Sequence, residues 1–351
     1  MLDRVHQHLE DVFAAGRRLP DDTPPSIDFA TARTEFYESP TALPIVERSS
    51  IKLDLHRRDF TINTLALRLD GRHYGELHDY WGGLDDLQRG VIRVLHSLSF
   101  VDDPTRMLRA VRFEQRFGFQ IEPRTLQLLH DARDLLAKVS GDRIRHELDL
   151  MLAEPRATAM LARLHRLGLL TAIHPALDWD AAAERRLTAW KRTPCPPPPP
   201  WEEATAYLRA AYALWLLENP AREAIAARLG FSRARRAVLA GAAALYARRH
   251  TLAAARPSEL TFALEPHPLE AVFALHLAVE DDALRQRLAR YAAEWRRLRP
   301  HTTGHDLRAR GLPPGPRYKA ILRRLRAAWL DGEVHSTEEE RQLLESLLAQ
   351  Q

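Results

Sequence analysis

The sequence predicts an α+β fold that is mostly α, with its strands in the first 95 residues and helices through the remainder. Three observations predict it. A β-prone, alternating segment at 27–32 (IDFATA), bounded by turn residues, and a short strand-like start to 51–67 occur early in the chain. From Thr105 onward almost every segment carries apolar residues at helical spacing between capping residues. Finally, 45% hydrophobic and 28% charged residues describe a globular chain, and 351 residues suffice for two or three domains with a substantial core.

All but four of the 51 basic residues are arginine, the lysines being Lys52, Lys138, Lys191 and Lys319. Guanidinium forks suit phosphates and base edges, while a GC-rich coding sequence or a hot habitat produces the same bias. A net charge of +4 and a pI near 9.4 permit a nucleic-acid partner without requiring one. Cys195 is the only cysteine, which excludes an internal disulfide framework and a cysteine-based zinc site. No apolar run approaches the ~20 residues of a membrane span. The start, MLDRVHQHLEDV, is too polar for a secretory signal. The expectation is a cytoplasmic protein without a membrane partner.

In order, 27–32 reads as a strand carrying Asp28. Residues 51–67 run from a strand-like start into a helix, where Asp59 and Asn63, four apart, share a face just after Arg57 and Arg58. That face is either merely solvated, or a carboxylate and an amide arranged for the two hydroxyls of a ribose. Asp70-Gly71 signals a hairpin. Gly82-Gly83, between Asp79 and Asp86, reads as a flexible joint between the strand region and everything helical.

The stretch FVDDPTRMLRAVRFEQRFGF (100–119) is the most informative. Asp103 before Pro104 marks a helix start, with Asp as N-cap and Pro at the first helical position. Arg106, Arg109, Arg112 and Arg116 recur at spacings of three and four, on neighbouring parts of the helix surface. Met107, Leu108, Val111, Phe113 and Phe117 supply an apolar side, and Gly118 ends the helix. Two carboxylates, Asp102 and Asp103, stand one turn from Arg106. A capped helix with solvated arginines is the plain alternative. An acceptor beside a donor at fixed separation is what reading a nucleobase edge requires.

Helices follow at 122–137, 141–153 and 156–168, the last closed by Gly168. TPCPPPPPW (193–201) is a stiff polyproline linker expected to separate two helical subdomains. Further helical patterns cover 201–218, 220–229, 232–249 and 268–278. Near the end, Thr303 and Gly304 precede a short helix, 311–316 make a tight turn, and Arg317 opens a basic helix. A Gly-Pro turn at a helix start leaves N–H groups for phosphate, and Arg317, Lys319, Arg323, Arg324 and Arg326 add charge. A solvated basic face fits these residues equally.

Together these segments resemble the class II tRNA nucleotidyltransferase and bacterial poly(A) polymerase family. IDFATARTEFY followed by LPIVERSSIKLDLHRRDFTIN is similar to the last strands and ribose-recognition motif of the family's head domain. HDYWGGLDDLQRGVIR resembles its hinge motif, DDPTRMLRAVRFEQRFGF its base-templating motif, and GDRIRHELDLML the motif closing the neck. TGHDLRARGLPPGPRYKAILRRLRAAWLDGEV resembles its RNA-binding tail. The resemblance implies the C-terminal part of a polymerase-β-like nucleotidyltransferase head, followed by an all-helical neck, body and tail. The expected units are a partial head (1–70), a neck with hinge and base-selecting helix (71–153), a helical body (154–192), the linker (193–201), and a further body with the tail (202–351).

Carried over residue by residue, Asp103 and Arg106 match the pair that selects the incoming base, with Asp102 where many members have Glu. Asp59, helped by Arg57 or Arg58 and by Asn63, matches the group that checks the ribose 2′-hydroxyl; Arg109 and Arg112 complete the implied nucleotide-binding set. Gly304, Gly315, Arg317, Lys319 and Arg323 are the implied RNA contacts. Adenine and cytosine present an exocyclic amine beside a ring-nitrogen acceptor, which a carboxylate and a guanidinium satisfy together. Guanine and uracil would turn a carbonyl toward the carboxylate.

The sequence departs from the family at its start. Family heads carry a Gly-Ser loop and Asp-x-Asp, which cradle the triphosphate and hold Mg²⁺. No Gly-Ser pair occurs here, and the only Asp-x-Asp, Asp178-Trp179-Asp180, falls in a helical region. Asp28 stands where the wider superfamily often places a third metal carboxylate, so it is the implied catalytic and metal residue. The chain is therefore expected to be N-terminally incomplete and inactive until the head segment is supplied, fused or as a separate chain. The implied function is addition of CMP and AMP, or AMP alone, from CTP and ATP to tRNA 3′ ends. The alternatives are a catalytically incomplete RNA-binding remnant, one half of a split enzyme, or a poly(A) polymerase.

Overall fold

The computed structural model describes residues 30–36, 45–195, 197–204 and 207–349. Asp28 and most of the expected 27–32 strand lie outside them, and residues 30–32 are not strand. The first described strands, β1 (Arg33–Phe36) and β2 (Ile45–Arg48), pair antiparallel with Arg33 opposite Arg48.

The strand-like start expected at 51 is helical, and the helix expected to follow it, with Asp59 and Asn63 on one face, does not form. α1 (Ile51–His56) starts at Ser50, whose hydroxyl accepts from the Leu53 N–H. Phe60 is extended, bridges Val94, and is fully buried. Burying that ring against the helical core requires leaving the helix, so Thr61–Asn63 form a separate 3-10 turn. β3 (Ala66–Leu67) and β4 (Leu77–His78) then form the hairpin that Asp70-Gly71 signals, with Gly71 at φ +56°.

α2 (Gly83–Arg89) begins at the Gly82-Gly83 pair, with Gly82 as its left-handed N-cap. A Cβ on Gly83 would stand 2.3 Å from the Thr61 carbonyl oxygen. The Asp79 carboxylate accepts from the Gly83 and Leu84 N–H groups at 2.8 and 3.0 Å. Here the glycines permit a close, fixed approach of two backbones. β5 (Val91–Ile92) pairs parallel with β6 (Gln120–Ile121), and between them lie α3 (Ser99–Asp102) and α4 (Thr105–Phe117). Pro104 takes the N-cap place of α4 and Asp103 sits one residue farther out, while Gly118 (φ +70°) ends the helix as expected.

α6 (Gly141–Ala153) and α7 (Ala157–Arg166) pack on α4, and α5 (Pro123–Ala132) and α8 (Leu169–Ile173) join the same apolar core. Asp180 caps α9 (Ala181–Arg192), accepting from the Ala183 N–H at 2.6 Å, so Asp178-Trp179-Asp180 is a helix start. The body continues through α10 (Tyr207–Trp215), α11 (Arg222–Arg228), α12 (Arg233–Ala247), α13 (Arg249–Ala254), α14 (Pro257–Leu264), α15 (Leu269–Ala278) and α16 (Asp282–Arg290). The polyproline stretch does not divide the core: Trp201 is buried against Phe273 and His276, and one apolar cluster runs from Phe60 to Leu330. α17 (Gly304–Ala309), α18 (Pro316–Asp331) and α19 (Thr337–Ala349) share a smaller core of Leu307, Ile321, Leu325 and Leu344.

Candidate nucleotide-binding site

A cavity of about 480 Å³ opens where the 57–63 segment meets the first turns of α4, lined by Arg57, Arg58, Asp59, Asn63, Asp103, Arg106, Arg109 and Phe113. The two pieces of chain are held together by the Phe60 ring, which packs edge-on against Phe113 of α4 with centroids 5.9 Å apart. The turn is held from below by Asp86, which accepts from the Thr61 hydroxyl at 2.6 Å and pairs with Arg93 at 3.0 Å.

Arg106 is buried. It donates to the Ser99 hydroxyl at 2.8 Å and to the Arg57 carbonyl at 2.7 Å, and pairs with no carboxylate among the described residues. Two of its five N–H donors are used in these bonds, and the guanidinium plane is fixed. The Asp103 Oδ1 accepts from the Thr105 N–H (2.9 Å), the Thr105 hydroxyl (2.6 Å) and Arg143 (2.7 Å). Its Oδ2 has no partner among the described residues. Capping α4 and presenting an acceptor to the cavity are therefore divided between the two oxygens.

Asp59 reaches Asn63 through the 3-10 turn, not along a shared helix face. Its Oδ1 accepts from the Phe60 N–H at 3.0 Å and Asn63 Nδ2 at 2.8 Å, and its Oδ2 pairs with Arg109 at 2.6 Å. The carboxylate is saturated by protein donors, and Asn63 Oδ1 is left as an acceptor. Burial works against the charge on Arg109, and Asp59 outweighs it, holding the guanidinium pKa above its ordinary value. Arg57 and Arg58 are steered by Asp54, at 2.8 and 3.2 Å. Burial would raise that carboxyl, but the arginine hydrogen bonds pull it below the usual range.

The two remaining nucleotide-site expectations fall elsewhere. Asp102 closes α3 and faces His96 at 3.8 Å, outside the cavity lining. Arg112 turns inward to Glu147 at 3.5 Å. Burial lowers the Arg112 pKa and raises that of Glu147, and Arg112 Nε and Glu147 Oε2 lack hydrogen-bond partners. Ser99, Arg143, Asp54 and Phe113 were missed by sequence reasoning. Only Phe113 left a signal, one turn beyond Arg109 on the same helix. In the tail, Gly315, Lys319 and Arg323 line a second cavity, whereas Gly304 packs under the Tyr318 ring and Arg317 is exposed outside it.

No group of three or more His, Cys, Asp or Glu side chains among the described residues could hold a metal ion. Asp59 and Asp103 are engaged by arginines, so the described part of the site does not fit a two-metal centre. Among the described residues no helix is long and apolar enough to cross a membrane.

Residues 4–93 match the family model of the poly(A) polymerase head domain, and residues 118–180 that of the probable RNA- and SrmB-binding site of polymerase A. An A-adding tRNA nucleotidyltransferase of Geobacter sulfurreducens is 37% identical over 336 residues, covering 90% of this chain but 37% of that protein. The A-adding enzyme of Halalkalibacterium halodurans is 30% identical over 317 residues, covering 89% of this chain and 72% of that protein. The Thermotoga maritima CCA-adding enzyme, solved with tRNA, superposes with a TM-score of 0.68 at 29% identity, over 88% of this chain and 76% of that one. With its head-domain match, its helical body and the cavity between them, this chain belongs to the tRNA nucleotidyltransferase and poly(A) polymerase family.

Proposed function

We propose that this chain selects ATP and CTP over GTP and UTP, and serves the addition of AMP and CMP to the 3′ end of tRNA. The observation that carries this reading is the pairing, in one cavity, of the open Asp103 Oδ2 with the immobilised Arg106. An exocyclic amine donates to the carboxylate while the neighbouring ring nitrogen accepts from the guanidinium. Guanine or uracil would face that carboxylate with a carbonyl and leave a partly buried charge unpaired. Asn63 Oδ1 can accept from a ribose 2′-hydroxyl, with Asp59 and Arg109 holding the amide in place.

The relatives named for A addition, and the neighbour solved with tRNA, support this substrate class. A tRNA substrate would place the work in the cytoplasm. The family generally uses a divalent metal, Mg²⁺ in our reading. The test is equilibrium binding of the four nucleoside triphosphates to the chain. ATP and CTP should bind about 10-fold or more tighter than GTP and UTP, a difference of about 1–3 kcal/mol. Equal affinity for all four would overturn the reading.

A further inference from the structure

Arg106 owes its place to two acceptors from different parts of the chain. It donates to the Ser99 hydroxyl at the start of α3 and to the Arg57 carbonyl just past α1, at 2.8 and 2.7 Å. Both acceptors are neutral, so neither has the pull of an ion pair to draw the guanidinium back if its segment drifts. About 1 Å of movement between the two segments would carry one bond past the hydrogen-bond limit. The separation of α1 from the 96–99 segment therefore decides where the guanidinium points.

Two stacked imidazoles bridge that separation. The His56 ring, one residue before Arg57, lies on the His96 ring, three residues before Ser99, with centroids 5.7 Å apart and planes 20° from parallel. His56 also meets the Trp81 ring at 5.4 Å, and Tyr80 packs edge-on to Trp81. The turn that carries these rings into α2 is fixed by the Asp79 carboxylate at the Gly83 and Leu84 N–H groups. Neither histidine lines the nucleotide cavity.

Such a stack holds while at most one ring is charged. The groups that face the pair are Asp102, 3.8 Å from His96 on the same segment, and Arg106 from α4, while Lys52 of α1 is turned to the Tyr80 ring. One carboxylate beside a guanidinium cannot also balance two imidazolium ions. Burial pushes the His96 pKa below its ordinary value; Asp102 opposes this, while Arg106 and His56 add to it.

We infer that the His56–His96 stack is a positioning pair for base selection: it holds the Ser99 and Arg57 acceptors at the separation that aims Arg106 at the nucleobase, and it loosens when both rings are protonated. The inference rests on the reading of Asp103 and Arg106 as the base-selecting pair, and adds to it two residues outside the cavity.

The test measures the ratio of ATP to GTP affinity for the wild type, His56→Ala and His56→Phe between about pH 8 and 5, above the ordinary carboxylate range. The wild-type ratio should hold down to about pH 6.5 and then fall several-fold. His56→Ala should narrow it about 5-fold or more already at neutral pH, the worth of roughly one misplaced hydrogen bond. His56→Phe keeps a ring and carries no proton, so it should recover most of the ratio and flatten the acid fall. His56 is exposed, so its replacement should leave the fold intact; if His56→Ala proves unfolded by thermal melting, the pH series on the wild type and His56→Phe decides. A wild-type ratio in folded His56→Ala, with or without a uniform loss of affinity, overturns the inference. So does an acid fall as steep in His56→Phe as in the wild type. Equal binding of ATP and GTP by the wild type at neutral pH would instead overturn the Asp103–Arg106 reading itself.

Discussion

At the scale of the residue, the division of labour within Asp103 matters most. One oxygen is consumed by Thr105 and Arg143, and this fixes where the other points. Arg143→Ala should therefore leave nucleotides able to bind but narrow the ATP and CTP preference several-fold, because the carboxylate regains rotational freedom; an unchanged preference in the binding panel would show that Thr105 alone suffices. Asn63→Ala should likewise reduce the discrimination of ATP against 2′-deoxy-ATP by about 5-fold or more, the worth of roughly one hydrogen bond. The helix surface shared by Arg106 and Arg109 was legible from their three-residue spacing, and Asp103 from its place just before Pro104 at the helix start. Arg143 was not, lying 40 residues away on α6. Arg112 misled for a related reason: its spacing from Arg109 also suits the inward surface, where Glu147 waits. Asp102 and Asp103 are adjacent, and only the backbone path at the end of α3 separates the one that faces His96 from the one that faces the cavity.

At the scale of the element, the helices of the neck were readable from caps and apolar periodicity, as α4 and α6 demonstrate. The segment from Arg57 to Asn63 was not, because local helical preference yields there to the burial of Phe60 and its bridge to Val94. The Gly82-Gly83 pair shows the same competition. A glycine pair suits a joint or a close approach, and the Thr61 carbonyl, 2.3 Å from where a Gly83 Cβ would stand, shows that the second requires glycine here. Gly83→Ala should cost about 1–3 kcal/mol of stability through backbone displacement, read as a fall in the thermal midpoint. It should also weaken ATP binding, since Thr61 begins the turn that carries Asn63. A variant as stable as wild type would mean that the joint yields after all.

At the scale of the whole molecule, a single core running past the polyproline stretch ties the nucleotide cavity to the body. The linker composition could not reveal this, because Trp201 is anchored by Phe273 and His276, residues far along the chain. That anchoring has a pH signature. Burial of His276 pushes its pKa down to about 4, against the partial support of the Arg285 carbonyl. The unfolded chain, with an ordinary histidine near 6.5, binds the proton more readily. Stability from neutral His276 is thus complete above pH 6.5 and is lost as pH falls toward 4, by about 3 kcal/mol. His276→Gln should flatten that acid limb in melting curves taken between pH 7 and 4; a limb as steep as wild type would assign acid sensitivity to other groups.

Base reading by Asp103 and Arg106 is tested by repeating the four-nucleotide binding panel on Arg106→Ala and Asp103→Asn. Both variants should lose about 1–3 kcal/mol of the preference for ATP and CTP. Asp103→Asn should in addition improve GTP and UTP, because an amide can donate to their carbonyls. Folded variants that keep the wild-type preference would contradict the claim.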